Sequence, residues 1–151
     1  SGKREYLPIG YESKDVIGSD AVIILPNANH FIFGLLNSSV HNAWMKCVCG
    51  RLKSDYRYSN AIFTNFPRPV FDEHIQNKIA QTAEAILDAR ALFPNSSLAT
   101  LYAPLTMPVE LRKAHKANDR AVLAAYGLKG SSTDTDIAQH LFEMYEKLIR
   151  K

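Results

Sequence analysis

From Asp72 to the C-terminus, apolar residues recur at three- and four-residue spacing almost without interruption, and that period describes helices, not strands. Ile75, Ile79, Ala83, Ile86, Leu87 and Arg90 mark one long helix, with Asp72 placed to cap its N-terminus. Phe93-Pro94-Asn95-Ser96-Ser97 ends it, and a short segment over residues 98–102 follows. Thr106-Met107-Pro108 opens a second helix, whose first turn tolerates proline; it runs to Tyr126 and stops at Gly127. Thr133 and Asp136 have capping-box spacing, and Ile137, Leu141, Met144 and Leu148 stripe a last helix.

Upstream of that point the pattern differs. Asn65-Phe66-Pro67-Arg68-Pro69 stops any sheet, because each proline removes a ladder donor and restricts the residue before it. Before it, residues 6–10, 16–18, 21–25, 31–33 and 61–63 read as short strands, with turn chemistry at Pro26-Asn27-Ala28-Asn29. Among them, Leu36, Val40, Ala43, Trp44 and Cys47 predict one amphipathic helix over residues 35–48, with Trp44 as a core anchor and Gly50 as its left-handed stop. The expected fold class is therefore α+β. A small mixed α/β portion over residues 3–69 is followed by an all-α helical portion over residues 70–151.

At 151 residues the chain is long enough for one well-buried domain or two small layers sharing an interface. The net charge of +3 neither requires nor excludes a polyanionic partner, so its distribution matters more. Residues 44–68 hold five cations against Asp55, a local excess of four that exceeds the net charge of the whole chain. No apolar run has membrane-spanning length, and the first residues lack the apolar core of a signal peptide. The missing initiator Met implies a piece of a larger protein. Cys47 and Cys49 lie too close together for a disulfide framework, which points to a reducing cytoplasm.

The charge excess centres on Gly50-Arg51-Leu52-Lys53-Ser54-Asp55-Tyr56-Arg57-Tyr58-Ser59. As one extended segment, it would project Arg51, Lys53, Asp55 and Arg57 from one face and Leu52, Tyr56 and Tyr58 from the other. Cations around a single carboxylate suit a surface that holds a polyanion and also discriminates among its parts. Arg and Lys donate to phosphates anywhere and to guanine among the bases, while Asp accepts from the cytosine amine. A solvated edge strand is the plain alternative. His41 and Asn42 lie off the helix's apolar stripe, where they could approach a backbone or a base.

Other chemistry finds little support. Cys47-Val48-Cys49 with His30 or His41 lacks the second ligand pair of a structural zinc site, and Cys47 on the apolar stripe reads as a packed thiol. There is no Gly-x-Ser-x-Gly elbow and no phosphate-cradling glycine loop. Glu12-Ser13-Lys14 has a spacing found at some nuclease metal sites, but no suitably placed acidic partner precedes it. Asp134 and Asp136 read as helix N-terminal carboxylates. Lys113, His115, Lys116 and Arg120 add cations to the second long helix, either as a solvated face or as a secondary phosphate contact. No catalytic, cofactor-binding or metal-binding residue is assigned.

Phe33-Gly34-Leu35-Leu36-Asn37-Ser38-Ser39, His41-x-x-Trp44, residues 50–59 and Asn65-Phe66-Pro67-x-Pro69 together resemble the MmeI-like restriction–modification family. Ile86-Leu87-Asp88-Ala89-Arg90, Ser96-Ser97-Leu98-Ala99-x-Leu101-Tyr102 and Pro104-Leu105-Thr106-Met107-Pro108-x-Glu110-Leu111 resemble its C-terminal helical region. The resemblance implies a type IIL/IIG enzyme combining an endonuclease, an S-adenosylmethionine-dependent adenine methyltransferase and a target recognition domain. Residues 3–69 would be the C-terminal part of that recognition domain and residues 70–151 the helical C-terminal domain. Catalytic motifs, S-adenosylmethionine and any nuclease Mg2+ would then belong upstream, leaving this stretch non-catalytic, with double-stranded DNA and the upstream methyltransferase domain as partners. In the family, target-base variation tracks the positions held here by Lys53 and Asp55, a pair suited to a G·C base pair. Arg51, Arg57, Lys46, Tyr58 and Arg68 would hold the DNA backbone, with His41 and Asn42 as further contacts. The alternative is a protein-interaction module that docks on another subunit.

Overall fold

The computed structural model describes residues 4–19, 22–52 and 55–151, and between residues 50 and 56 only the backbone. Seven helices carry the described chain: α1 (His30–Leu36), α2 (Ser39–Val48), α3 (Asn60–Thr64), α4 (Glu73–Ala91), α5 (Leu98–Leu101), α6 (Val109–Ala125) and α7 (Asp134–Ile149). Among the described residues the one strand pairing is a short antiparallel ribbon, β1 (Gly50–Leu52) with β2 (Asp55–Arg57). The expected α+β class is therefore overturned, and the fold is helical.

The corrections fall in the first half. Phe31, Ile32 and Phe33 lie inside α1, where the Asn29 side chain caps the helix by accepting from the Ile32 amide at 2.9 Å. Ala61, Ile62 and Phe63 lie inside α3, which buries Ile62. An apolar run of three residues carries no period, so its partner decides its form. Residues 6–10, 16–18 and 22–25 make no strand. Ala21, the first residue of the remaining expected strand, lies outside the described residues.

The single helix expected over residues 35–48 is two. Asn37 closes α1, its amide nitrogen donating to the Phe33 carbonyl. Ser38 opens α2, its hydroxyl accepting from the His41 amide at 3.2 Å and donating to the Leu35 carbonyl at 2.6 Å. The α2 helix ends at Cys49 in extended backbone, so Gly50 begins β1 and does not act as a left-handed stop. Cys47, expected as a packed thiol, is exposed, and Cys49 is the buried one.

The second half follows its caps. Asp72 caps α4 by accepting from Ile75 N–H at 2.8 Å. Gly127, at φ +71°, ends α6 with paired bonds from Gly127 to Ala124 and from Leu128 to Leu123, the two closures of a Schellman motif. Thr133 and Asp136 close a reciprocal capping box on α7.

The helix α4 lies against both α1 and α6, while α2 packs on α7. One core gathers Leu35, Val40, Trp44, Met45, Phe66, Phe71, Val122, Ile137 and Leu141. A second gathers Tyr6, Phe33, Ala83, Ile86, Leu101, Tyr102 and Leu111. Each draws on both sides of residue 70, so the helices of the second half form the bed on which the first half folds. No helix is long and apolar enough to cross a membrane.

Candidate nucleic-acid interface

The ribbon pairs Gly50 with Arg57, Arg51 with Tyr56 and Leu52 with Asp55. The chain thus reverses between Leu52 and Asp55, and the alternation assumed for one continuous strand does not carry through the turn. Lys53, the first expected base-reading residue, lies outside the described residues. Asp55, the second, is the first residue of the return strand, and Arg51 stands in the outgoing one. Arg57 is exposed at the end of β2. Among the described elements, each strand's main contacts are with the other, and the ribbon meets the helical body at its roots.

Tyr58 forms one root. Its hydroxyl lies 2.8 Å from His41 Nε2, and His41 Nδ1 lies 3.0 Å from the Leu36 carbonyl. A carbonyl only accepts, so Nδ1 carries the proton and Nε2 accepts from the Tyr58 hydroxyl. His41 is fully buried, and burial lowers its pKa to about 4, which keeps the ring neutral. Burial likewise pushes Tyr58 up to about 12. The expected approach of His41 to DNA is therefore replaced by a structural task, because a 3.6-residue wheel does not foresee that Tyr58 and Phe66 cover that side of α2. Asn42 is half-buried and donates to the Glu5 carbonyl at 3.2 Å.

The other expected backbone contacts divide. Lys46 pairs with Asp134 at 2.9 Å, which ties α2 to the start of α7. Arg68 is exposed, its guanidinium 4.6 Å from the centre of the Phe63 ring. Trp44 is a core residue, as expected, and its indole N–H donates to the Ile62 carbonyl at 3.0 Å.

Sequence reasoning missed the polar bolts under this surface, and it read one of them, the fully buried His115, as a cation of an outward face. Asp119 accepts from the Ser39 amide at 2.8 Å and from the Tyr6 hydroxyl at 3.1 Å, so a residue of α6 caps α2 across 80 positions. Burial raises its pKa to about 6 despite those two donors. His115 stacks on Tyr6 and receives the Tyr102 hydroxyl proton, since Arg90 already donates to that oxygen at 2.6 and 3.0 Å. Burial and the Arg90 charge lower the His115 pKa to about 3. Their only sequence signal was polarity on otherwise buried helix faces. Among the described residues, no group of three His, Cys, Asp or Glu side chains is placed to hold a metal ion.

Residues 1–70 match the model of the MmeI target recognition domain, and residues 71–151 match that of the MmeI C-terminal domain. The chain belongs to the MmeI family. A Bacillus subtilis (strain 168) protein named DNA methyltransferase A is similar to it, 36% identical over the whole of this chain. A solved structure of the type IIL restriction–modification enzyme MmeI in complex with DNA matches 83% of the chain at 47% identity, with a TM-score of 0.80. The chain spans 17% of the length of each of these two proteins.

Proposed function

We propose that the chain is the sequence-specific DNA recognition module of a larger restriction–modification methyltransferase, and that the ribbon of residues 50–57 enters the major groove. The observation that carries this reading is the ribbon itself. It is a two-stranded element rooted by Tyr58 on a helical body, within the stretch that matches a target recognition domain. The major groove of B-DNA is wide enough for a two-stranded ribbon, and each base pair shows a distinct donor–acceptor pattern there. Asp55 begins the return strand at the last described pair of the ribbon, and Lys53 precedes it by two positions in the sequence. Lys53 would donate to guanine and Asp55 accept from the paired cytosine. Arg51, Arg57 and Arg68 would hold phosphates, while Tyr58 and Lys46 serve the scaffold through His41 and Asp134. This stretch is read as non-catalytic. S-adenosylmethionine, used for adenine methylation, and any Mg2+ for a nuclease are assigned to the rest of the longer protein.

A second reading, docking on another protein surface, draws support from the exposed apolar side chains of Ile17, Val22, Ile23 and Ile24. Selection from randomised duplexes at two salt concentrations separates the two. The recognition reading expects an enriched motif, and affinity that falls steeply with salt. The Lys53→Ala/Asp55→Ala double variant should lose discrimination at one base pair, by about 1–3 kcal/mol, while keeping salt-sensitive binding. Binding without sequence preference in the wild type would remove the base-reading role. Salt-insensitive association with protein alone would favour docking.

A further inference from the structure

We propose that the outward face of α6 is a second contact with duplex DNA, one that holds the phosphate backbone without reading sequence, through Lys113, Lys116 and Arg120. The proposal rests on the recognition reading above and extends it to the C-terminal half of the chain.

The α6 helix buries Leu111, His115, Asn118 and Val122 on one side. Lys113, Lys116 and Arg120 all stand exposed on the other. The remaining charges of the helix are largely disposed of elsewhere. Arg112 is neutralised by Glu5 at 2.8 Å, and Asp119 points inward to Ser39 and Tyr6. Among the described residues, none of the three cations has a carboxylate within salt-bridge distance. Glu110, in the first turn, is the one other acidic residue of the helix.

This arrangement is costly for the helix alone. Lys116–Arg120 is a like-charge pair at i,i+4, destabilising by a few tenths of a kcal/mol. The α4 and α7 helices mix their signs instead, and α7 ends in an Arg150–Glu146 pair. A face kept only for solvation gains nothing from one sign. A face that meets a polyanion does.

The dimensions fit. Seven residues of helix separate Lys113 from Arg120 by about 10 Å. One DNA strand presents a phosphate about every 3.4 Å of axis, so the row spans about three. The row also connects physically to the ribbon. Tyr126, just past α6, donates to the Pro67 carbonyl at 2.8 Å and packs on Phe66. Phe66 in turn touches His41, which holds Tyr58 at the ribbon's root. Two contacts on one rigid body fix the orientation of the duplex as well as its attachment.

The test compares duplex binding by the wild type and by Lys113→Gln/Lys116→Gln/Arg120→Gln between 50 and 200 mM salt. The exposed substitutions should leave the thermal melt unchanged or raise it slightly, since they remove a like-charge pair. The expected result is a fall of about 2–3 in the slope of log affinity against log salt, or about 40-fold less salt sensitivity over that range, equal for all duplex sequences. Lys116→Glu alone should weaken all duplexes uniformly. A variant that keeps both the wild-type slope and the wild-type motif overturns the α6 contact and leaves the recognition reading standing. A change in preferred motif overturns it too, because a backbone contact carries no sequence information. A wild type that shows no salt-sensitive duplex binding overturns both.

Discussion

His41 and His115 each place an imidazole where water does not reach, and each ring is held neutral by that burial. The unfolded chain takes up protons on both near pH 6.5, whereas the folded chain resists until about pH 4 and about pH 3. Their contribution to stability is complete above pH 6.5 and is lost as pH falls through that window. Asp119 acts in the opposite sense. Its raised pKa lets the folded chain keep a proton between about pH 6 and 3.8, so folding gains there on acidification. Two histidines outweigh one aspartate. Unfolding free energy in urea should therefore drop by about 1.4 kcal/mol per pH unit from pH 6 to 4. Replacing one titrating ring by a neutral amide, His41→Gln, should flatten that dependence by about one proton. An unchanged slope would show that His41 is not the buried neutral group described.

At the scale of elements, the crossing of α1 over α4 turns on Gly34. A Cβ there would meet Ile79 Cγ2 at 2.7 Å, Asn118 Oδ1 at 3.0 Å and Ala83 Cβ at 3.2 Å. Alanine is the better helix former by about 1 kcal/mol. Overpacking against the Ile79 and Ala83 side chains of α4 and a buried amide costs about 1–3 kcal/mol. The Asn118 amide of α6 also donates to the Gly34 carbonyl at 2.8 Å, so α1 cannot draw away from α6 without breaking a buried bond. Gly34→Ala is accordingly expected to destabilise by up to about 2 kcal/mol net, measured as a lower urea midpoint at unchanged m-value. A stabilised variant would mean that α1 and α4 sit further apart. Helix ends were the legible part of this scale: Asp72, Gly127 and the Thr133–Asp136 box act through the adjacent few residues, and the structure shows each in use. The α1–α2 break was also written locally, in Asn37 and Ser38, but an apolar stripe running past them masked it.

For the molecule as a whole, cores that cross residue 70 imply that the chain melts as one unit. Leu35 on α1 and Leu111 on α6 belong to different cores, and both are almost fully buried. Leu35→Ala and Leu111→Ala should each cost about 2–5 kcal/mol and shift the same calorimetric transition. Two separable transitions would contradict the shared packing. The sequence alone determined the helices of the second half, because their period and caps are local and strong, and it carried the family through motifs spread over the chain. It also marked residues 50–59 as the charged centre. What it left open were the short apolar runs of the first half, read as strands, because three to five residues hold too little pattern to choose a form. Only the tertiary structure decided those. It put Phe31, Ile32 and Phe33 in a helix, Phe33 packing against the second core, and it turned His41 inward to meet Tyr58. It also paired residues 55–57 back against residues 50–52 as a ribbon. In each case the deciding partner lies far along the chain, or across a reversal that alternation does not encode.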